Sequence, residues 1–234
     1  MDSFIVFIQK LDWSPLAISL KTGAVATVIC FFLGLFAAAK VVKAGPRLKA
    51  VLDGILTLPM VIPPTAVGFF LLLLFSKRRP VGKMLLYNFN ISVVQTWLGC
   101  IIAASVIAFP LMYRNARAAF EQVDSELVYA ARTLGIPEMK IFWKIVVPNA
   151  APGIISGTIL TFARSLGEYG ATAMLAGNIA GKTGTISQKI AMVMQDGDYA
   201  TAGFWTVAVL IIAFIVIISM NLILGKKAHI KRKW

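Results

Sequence analysis

Two charged residues inside an apolar stretch are the first candidates for chemistry: Arg164 and Glu168, in the run Phe162-Ala-Arg-Ser-Leu-Gly-Glu-Tyr-Gly. A spacing of four puts them one turn apart on one face of a helix. A lone charge deep in a membrane costs about 2.5–3.5 kcal/mol on insertion scales, so each needs a partner or a hydrated cavity. Two readings follow. The pair either neutralises itself and staples neighbouring spans, or lines or gates a polar pathway in which Arg164 favours an anion. The second candidate, Ala176-Gly-Asn-Ile-Ala-Gly181-Lys182-Thr183, satisfies a relaxed phosphate-loop pattern. A working phosphate loop joins a strand to a helix N-terminus, so that backbone N–H groups cradle phosphates. Here an apolar helix precedes the motif, and no acidic residue follows an apolar strand to hold magnesium. No ATP and no other cofactor is expected on this chain. Cys30 and Cys100 lie in separate apolar runs without metal or disulfide spacing, and His229, the single histidine, sits in a basic tail. Neither a catalytic residue nor a metal ligand is assigned.

The third candidate is a backbone feature. Leu58-Pro59-Met-Val-Ile-Pro63-Pro64-Thr-Ala-Val-Gly68 places three prolines in the middle of an apolar run. Proline cannot continue the helical ladder, so carbonyls near residues 55–60 lose partners. At membrane depth such a break is tolerated only where protein or a water-filled path re-satisfies the backbone. Broken helices often line transport pathways; a plain packing kink is the other reading. Pro59, Pro63 and Pro64 therefore join Arg164 and Glu168 as pathway candidates.

The elements that must position these residues are apolar helices. With 59% hydrophobic and 14% charged residues and a mean hydropathy of +0.82, a water-soluble fold is excluded. A span needs about 20 apolar residues, and the candidates are Ser14–Ala39, Val51–Phe75, Ile91–Tyr113, Asn149–Leu175 and Phe204–Leu224. The expected fold class is all-α: a polytopic transmembrane bundle, one domain over 1–234. Residues 183–198 add a candidate shallow or re-entrant helix with Ile186, Ile190, Val193 and Met194 on one face, making five or six helices. Lys and Arg counts set the orientation. Placing the loop at about 114–148 inside puts fourteen basic residues there, including Lys40, Lys43, Arg117, Arg132 and the tail from Lys226, against seven outside, among them Lys10, Lys77, Arg78, Arg79 and Lys83. The N-terminus is then outside and the C-terminus cytoplasmic. The net charge of +13 is explained by this asymmetry and by contact with membrane lipid, without nucleic acid. The first run carries Ala37-Ala38-Ala39, which mimics a signal cleavage site, but its length and the basic residues after it mark a retained anchor. Lys21 and Asp53 lie near span ends and are expected to snorkel. Gly153-Ile-Ile-Ser-Gly157 permits close helix approach.

The most polar segment is Glu126-Leu-Val-Tyr-Ala-Ala-Arg-Thr-Leu-Gly-Ile-Pro-Glu-Met-Lys-Ile-Phe-Trp-Lys-Ile-Val-Val-Pro148. Leu127, Ala130, Ala131 and Leu134 fall on one helical stripe. Asp124 or Ser125 can cap its start, and Gly135 suits the left-handed residue that ends it. Pro137 fits the first turn of a second short helix, on which Met139, Phe142, Trp143 and Val146 repeat the spacing. The small Ala130-Ala131 pair permits close approach by a partner, and Gly135 fixes the angle between the helices.

Ala130-Ala131, Gly135, Ile145 and Pro148 resemble the Glu-Ala-Ala-x3-Gly-x9-Ile-x-Leu-Pro signature of ABC importer permeases, with Tyr129 in place of the first Glu and Val147 in place of the Leu. The resemblance implies cytoplasmic helices docking into an ATP-hydrolysing subunit, with Glu126, Tyr129, Ala130, Ala131, Arg132, Gly135 and Pro137 at the contact. Phe162–Thr172, Gly177-Asn178-Ile179 and Leu58–Gly68 followed by Lys77-Arg78-Arg79 are similar to segments of molybdate and tungstate permeases, and the first two to sulfate permeases as well. What this implies is the permease of a type I ABC oxyanion importer in the cytoplasmic membrane. It would act as a homodimer with two ATP-binding subunits, which hold ATP and magnesium, and with an extracytoplasmic oxyanion-binding protein. The basic cluster at 77–83 either helps to dock that protein or is a solvated loop. A sulfate or thiosulfate permease is the alternative. An ion-coupled secondary transporter is a further rival, although no internal repeat is evident.

Overall fold

The computed structural model describes residues 11–231, and helix accounts for every regular element among them. In chain order these are α1 Ser14–Val42, α2 Pro46–Val61, α3 Pro64–Phe75, α4 Pro80–Phe89, α5 Trp97–Glu121, α6 Ser125–Thr133, α7 Glu138–Leu166, α8 Gly170–Ala176, α9 Ile186–Gln195 and α10 Tyr199–Lys231. Helices α1, α5, α7 and, through Tyr199–Val216, α10 are long and apolar enough to cross a membrane. Proline opens α1, α2, α3 and α4, at the position where its missing N–H has no partner to lose and its fixed φ favours the helix.

The second expected span is not one straight helix. Helices α2 and α3 meet at 105°, and the break has a local cause. A residue before proline is driven from the helical region to extended backbone. Ile62 and Pro63 both precede a proline, and they adopt ψ 139° and 133°. Pro59, by contrast, stays inside α2.

Other expected boundaries also move, the fifth span beginning at Tyr199 in place of Phe204. The third span starts at Trp97 and runs to Glu121, because Gln95 (φ +59°) turns the chain and donates its N–H to the Leu175 carbonyl. The fourth starts at Glu138 and stops at Leu166, where Gly167 caps it, and α8 follows as a separate short helix. The shallow helix at 183–198 condenses to α9, opened by a Thr185–Gln188 capping box; there Ile186 and Val193 are buried whereas Met194 points out. The sequence reading passed over α4. Lys10, Arg232 and Lys233 lie outside the described residues.

Small residues decide how the bundle packs. Helix α1 lies along α5, and α5 along α7. A Cβ on Gly34 would stand 2.7 Å from Met112 Cγ, one on Gly153 2.6 Å from Ala119 Cβ, and one on Gly157 2.7 Å from Asn115 Cβ. The Gly153/Gly157 stripe thus serves packing between α7 and α5 of one chain. Ala38, Met112, Tyr113, Ala116 and Ile154 form the core between α1, α5 and α7. A second cluster, with Val67, Ala103, Ile107, Ala171 and Leu175, joins α3, α5 and α8. Helix α2 buries none of its residues within the chain.

Candidate functional site

Residues 124–148 form a bracket. Asp124 accepts the Glu126 N–H at 2.9 Å and caps α6, which fills one of the unpaired N–H groups of the first turn. At the other end Gly135 adopts φ +71°. The Ile136 N–H bonds to the Ala131 carbonyl and the Gly135 N–H to the Arg132 carbonyl, the paired pattern of a left-handed glycine stop. Pro137 is the cap of α7, not its first residue. The second short helix is not separate either. It continues through a π-helical stretch, Phe142–Val146, into the membrane span. Pro148 has no N–H for the Lys144 carbonyl, so the ladder slips there to a wider turn in which the Val147 N–H reaches the Phe142 carbonyl. The bracket is therefore continuous with one end of α7.

The expected apolar stripe divides. Ala131 is 3% exposed and packs inward, whereas Leu127 and Leu134 are 47% and 79% exposed. Ala130, Glu126, Arg132, Gly135 and Pro137 are also exposed, as is Tyr129. The outward face is thus Leu127, Ala130 and Leu134. Arg132 makes two bonds to Glu138, at 2.5 and 3.2 Å, and braces the angle between α6 and α7. Its guanidinium also lies 5.7 Å from the Tyr129 ring.

Sequence reasoning missed a polar cluster that ties α2 to α5. Asp53 accepts from the Tyr113 hydroxyl and from Arg117, Lys49 pairs with Glu121, and Arg117 reaches Glu121 at 3.6 Å. Asp53 was expected to snorkel; it is instead the hub of this cluster. The available signal was an acidic residue near the start of one apolar run, Asp53, and charged residues just past the end of the next, Arg117 and Glu121. Lys21 is likewise engaged, 5.1 Å from the Trp97 ring.

The pathway candidates only partly converge. Pro59, Pro64 and Arg164 line one cavity of about 210 Å³, together with Ile62, Ile107 and Leu111. Pro63 makes the bend but is not on the wall. Glu168 lies beyond the end of α7, not on the same helix as Arg164, yet the pair still forms at 2.9 Å. Its carboxylate is buried, 3% exposed, and its other oxygen accepts the Ala171 N–H at 2.7 Å. Two broken elements meet here. A Cβ on Gly170 would stand 3.1 Å from the Thr65 N, and one on Gly68 2.7 Å from Ala171 Cα.

The loop that mimics a phosphate site has other work. Thr183 is fully buried; its hydroxyl accepts the Ile179 N–H at 2.9 Å and donates to the Gly177 carbonyl. The motif runs between two helices, α8 and α9. Cys30 and Cys100 are buried thiols, Cys30 donating to the Ser105 carbonyl.

Residues 31–226 match the model of the family described as "Binding-protein-dependent transport system inner membrane component". The chain belongs to that family. It is a multi-pass permease component of an importer, which sets aside the ion-coupled rival. The putative molybdenum transport system permease protein YvgM of Bacillus subtilis (strain 168) is 37% identical over 93% of this chain and 94% of its own length. The molybdenum transport system permease protein ModB of Escherichia coli (strain K12) is 42% identical over 79% and 80%. The sulfate transport system permease protein CysT of Salmonella typhimurium is 35% identical, over 74% of this chain and 62% of its own length. A chain of the solved bacterial alginate ABC transporter, in complex with alginate pentasaccharide-bound periplasmic protein, has a TM-score of 0.76 at 16% identity, covering 94% of this chain and 81% of that one. That likeness is one of fold.

Proposed function

We propose that the chain is the permease of an ATP-driven importer for molybdate and its congener tungstate. The single observation that carries this reading is the 37–42% identity, across most of the chain, to permeases named for molybdenum transport. Two copies of the chain form the pathway between them. Two ATP-binding subunits dock inside, holding ATP and magnesium, and an oxyanion-binding protein delivers substrate outside. The segment from the end of α5 through α6 to the start of α7, within the expected 114–148 region, and the C-terminus face the cytoplasm, and the N-terminus faces out, following the excess of basic residues.

In this reading the exposed Leu127–Ala130–Leu134 face of α6, with Glu126, Tyr129, Arg132, Gly135 and Pro137, seats on the ATPase, and Ala131 holds α6 to its own chain. ATP binding draws the two ATPase subunits together. The bracket transmits that movement through the π-helical stretch into α7 and to the cavity at Pro59, Pro64 and Arg164. Only differential binding of ATP and of loaded binding protein to the two states can drive the change.

Uptake of radiolabelled molybdate into proteoliposomes containing permease, ATPase and binding protein, with tungstate and sulfate as competitors, tests the substrate. Competition by tungstate and not by sulfate is expected. Efficient uptake of sulfate would reassign the chain to the sulfate permeases.

A further inference from the structure

The cavity at the helix break holds one cationic group, and that group already has one partner. Arg164 has five N–H donors. Among the described residues it uses one, Nη1, in its 2.9 Å bond to Glu168, while about a third of its side chain stays exposed. The remaining wall is apolar: Pro59, Met60, Ile62, Pro64, Ile107 and Leu111. Glu168 is differently placed. It is 3% exposed and does not line the cavity, and its second oxygen is fixed by the Ala171 N–H. The acceptor is thus held in place by α8, while the arginine that it holds lines the cavity.

A planar guanidinium suits a tetrahedral oxyanion, because two of its N–H groups can meet two oxygens at once. An uncompensated arginine in a low-dielectric cavity would hold a dianion strongly, and a carrier must also let go. We propose that the cavity is a transit station for a tetrahedral oxyanion dianion, with Arg164 as its binding group and Glu168 as the built-in competitor that keeps the dwell time short. The dianion takes Arg164 donors as it enters, and Glu168 reclaims the arginine as it leaves. This rests on the pathway reading above and adds to it the role of the carboxylate.

The test is equilibrium binding of radiolabelled molybdate to the purified permease–ATPase complex without binding protein, alongside transport by the complete system. Glu168→Gln keeps an oxygen for the Ala171 N–H and removes the charge. It should bind molybdate at least about tenfold more tightly than the native complex and transport it more slowly. Arg164→Met should abolish both the binding and the transport, and Arg164→Lys should restore part of each. The ATPase activity and assembly of every variant are measured as a control on folding. If Arg164→Met abolishes transport but Glu168→Gln binds no more tightly than native, the station is refuted and Arg164 remains a pathway residue. If all variants assemble and transport at the native rate, both the station and the pathway reading fall.

Discussion

Ala130 and Ala131 are adjacent and identical, yet the chain covers one edge of their shared stripe on α6 and leaves the other open, and this separates two effects of one substitution. Ala131 is 3% exposed; Leu there forces extra atoms into packed space, which costs about 1–3 kcal/mol. Ala130 is exposed in the chain, so Leu there should change the stability of the permease alone by no more than about 0.5 kcal/mol. At a packed interface the same side chain has no room. A loss of about 1–3 kcal/mol in association would weaken ATPase binding by roughly 5- to 150-fold. The assay pairs thermal unfolding of the detergent-solubilised permease with its affinity for the ATPase subunit. Ala131→Leu should lower the melting temperature; Ala130→Leu should leave it unchanged and weaken binding. If Ala130→Leu binds the ATPase with native affinity, the outward face has been assigned wrongly.

Three further outcomes follow from the geometry. Gly135→Ala meets no atom within 4 Å but must hold φ +71°, so it should cost about 1–2 kcal/mol from backbone strain alone, read as a lower melting temperature. Arg117→Met leaves Asp53 with the Tyr113 hydroxyl but without its ion-pair partner, and both side chains of the pair are about a quarter exposed. The loss should fall between those of surface and buried pairs, about 1–3 kcal/mol, and a double mutant with Asp53→Asn should lose less than the two single losses combined. Gly157→Val would press on Asn115 from 2.7 Å and should lower the melting temperature by separating α7 from α5, an effect absent for Gly203→Ala, which has open space around it.

Long apolar runs were legible because the membrane requires them: α1, α5, α7 and α10 all fall on expected spans. The turn chemistry of 124–137 was legible too, since Asp124 and Gly135 act through local backbone rules. The joins were not. The slip to π-helix before Pro148 arises from a proline acting on a carbonyl four residues back, within a run whose pattern reads as uninterrupted helix. After the stop at Leu166, Glu168 accepts the Ala171 N–H of α8, and α8 packs on α3, a long-range contact that the local pattern does not carry. Ala131 could not be told from Ala130 by periodicity, because a stripe predicts a shared face but not which edge of it the chain itself covers. Asp53 was misplaced for the same reason: its partners Tyr113 and Arg117 are sixty residues away or more.

The central claim is that this chain couples oxyanion delivery outside to ATP hydrolysis by a partner inside. The most direct measurement is ATPase activity of the reconstituted permease–ATPase complex, exposed to binding protein loaded with molybdate, tungstate or sulfate. Selective stimulation by the molybdate- and tungstate-loaded protein, lost in Ala130→Leu, is the predicted result. Hydrolysis that is indifferent to loaded binding protein, in a complex shown to be assembled, would contradict it.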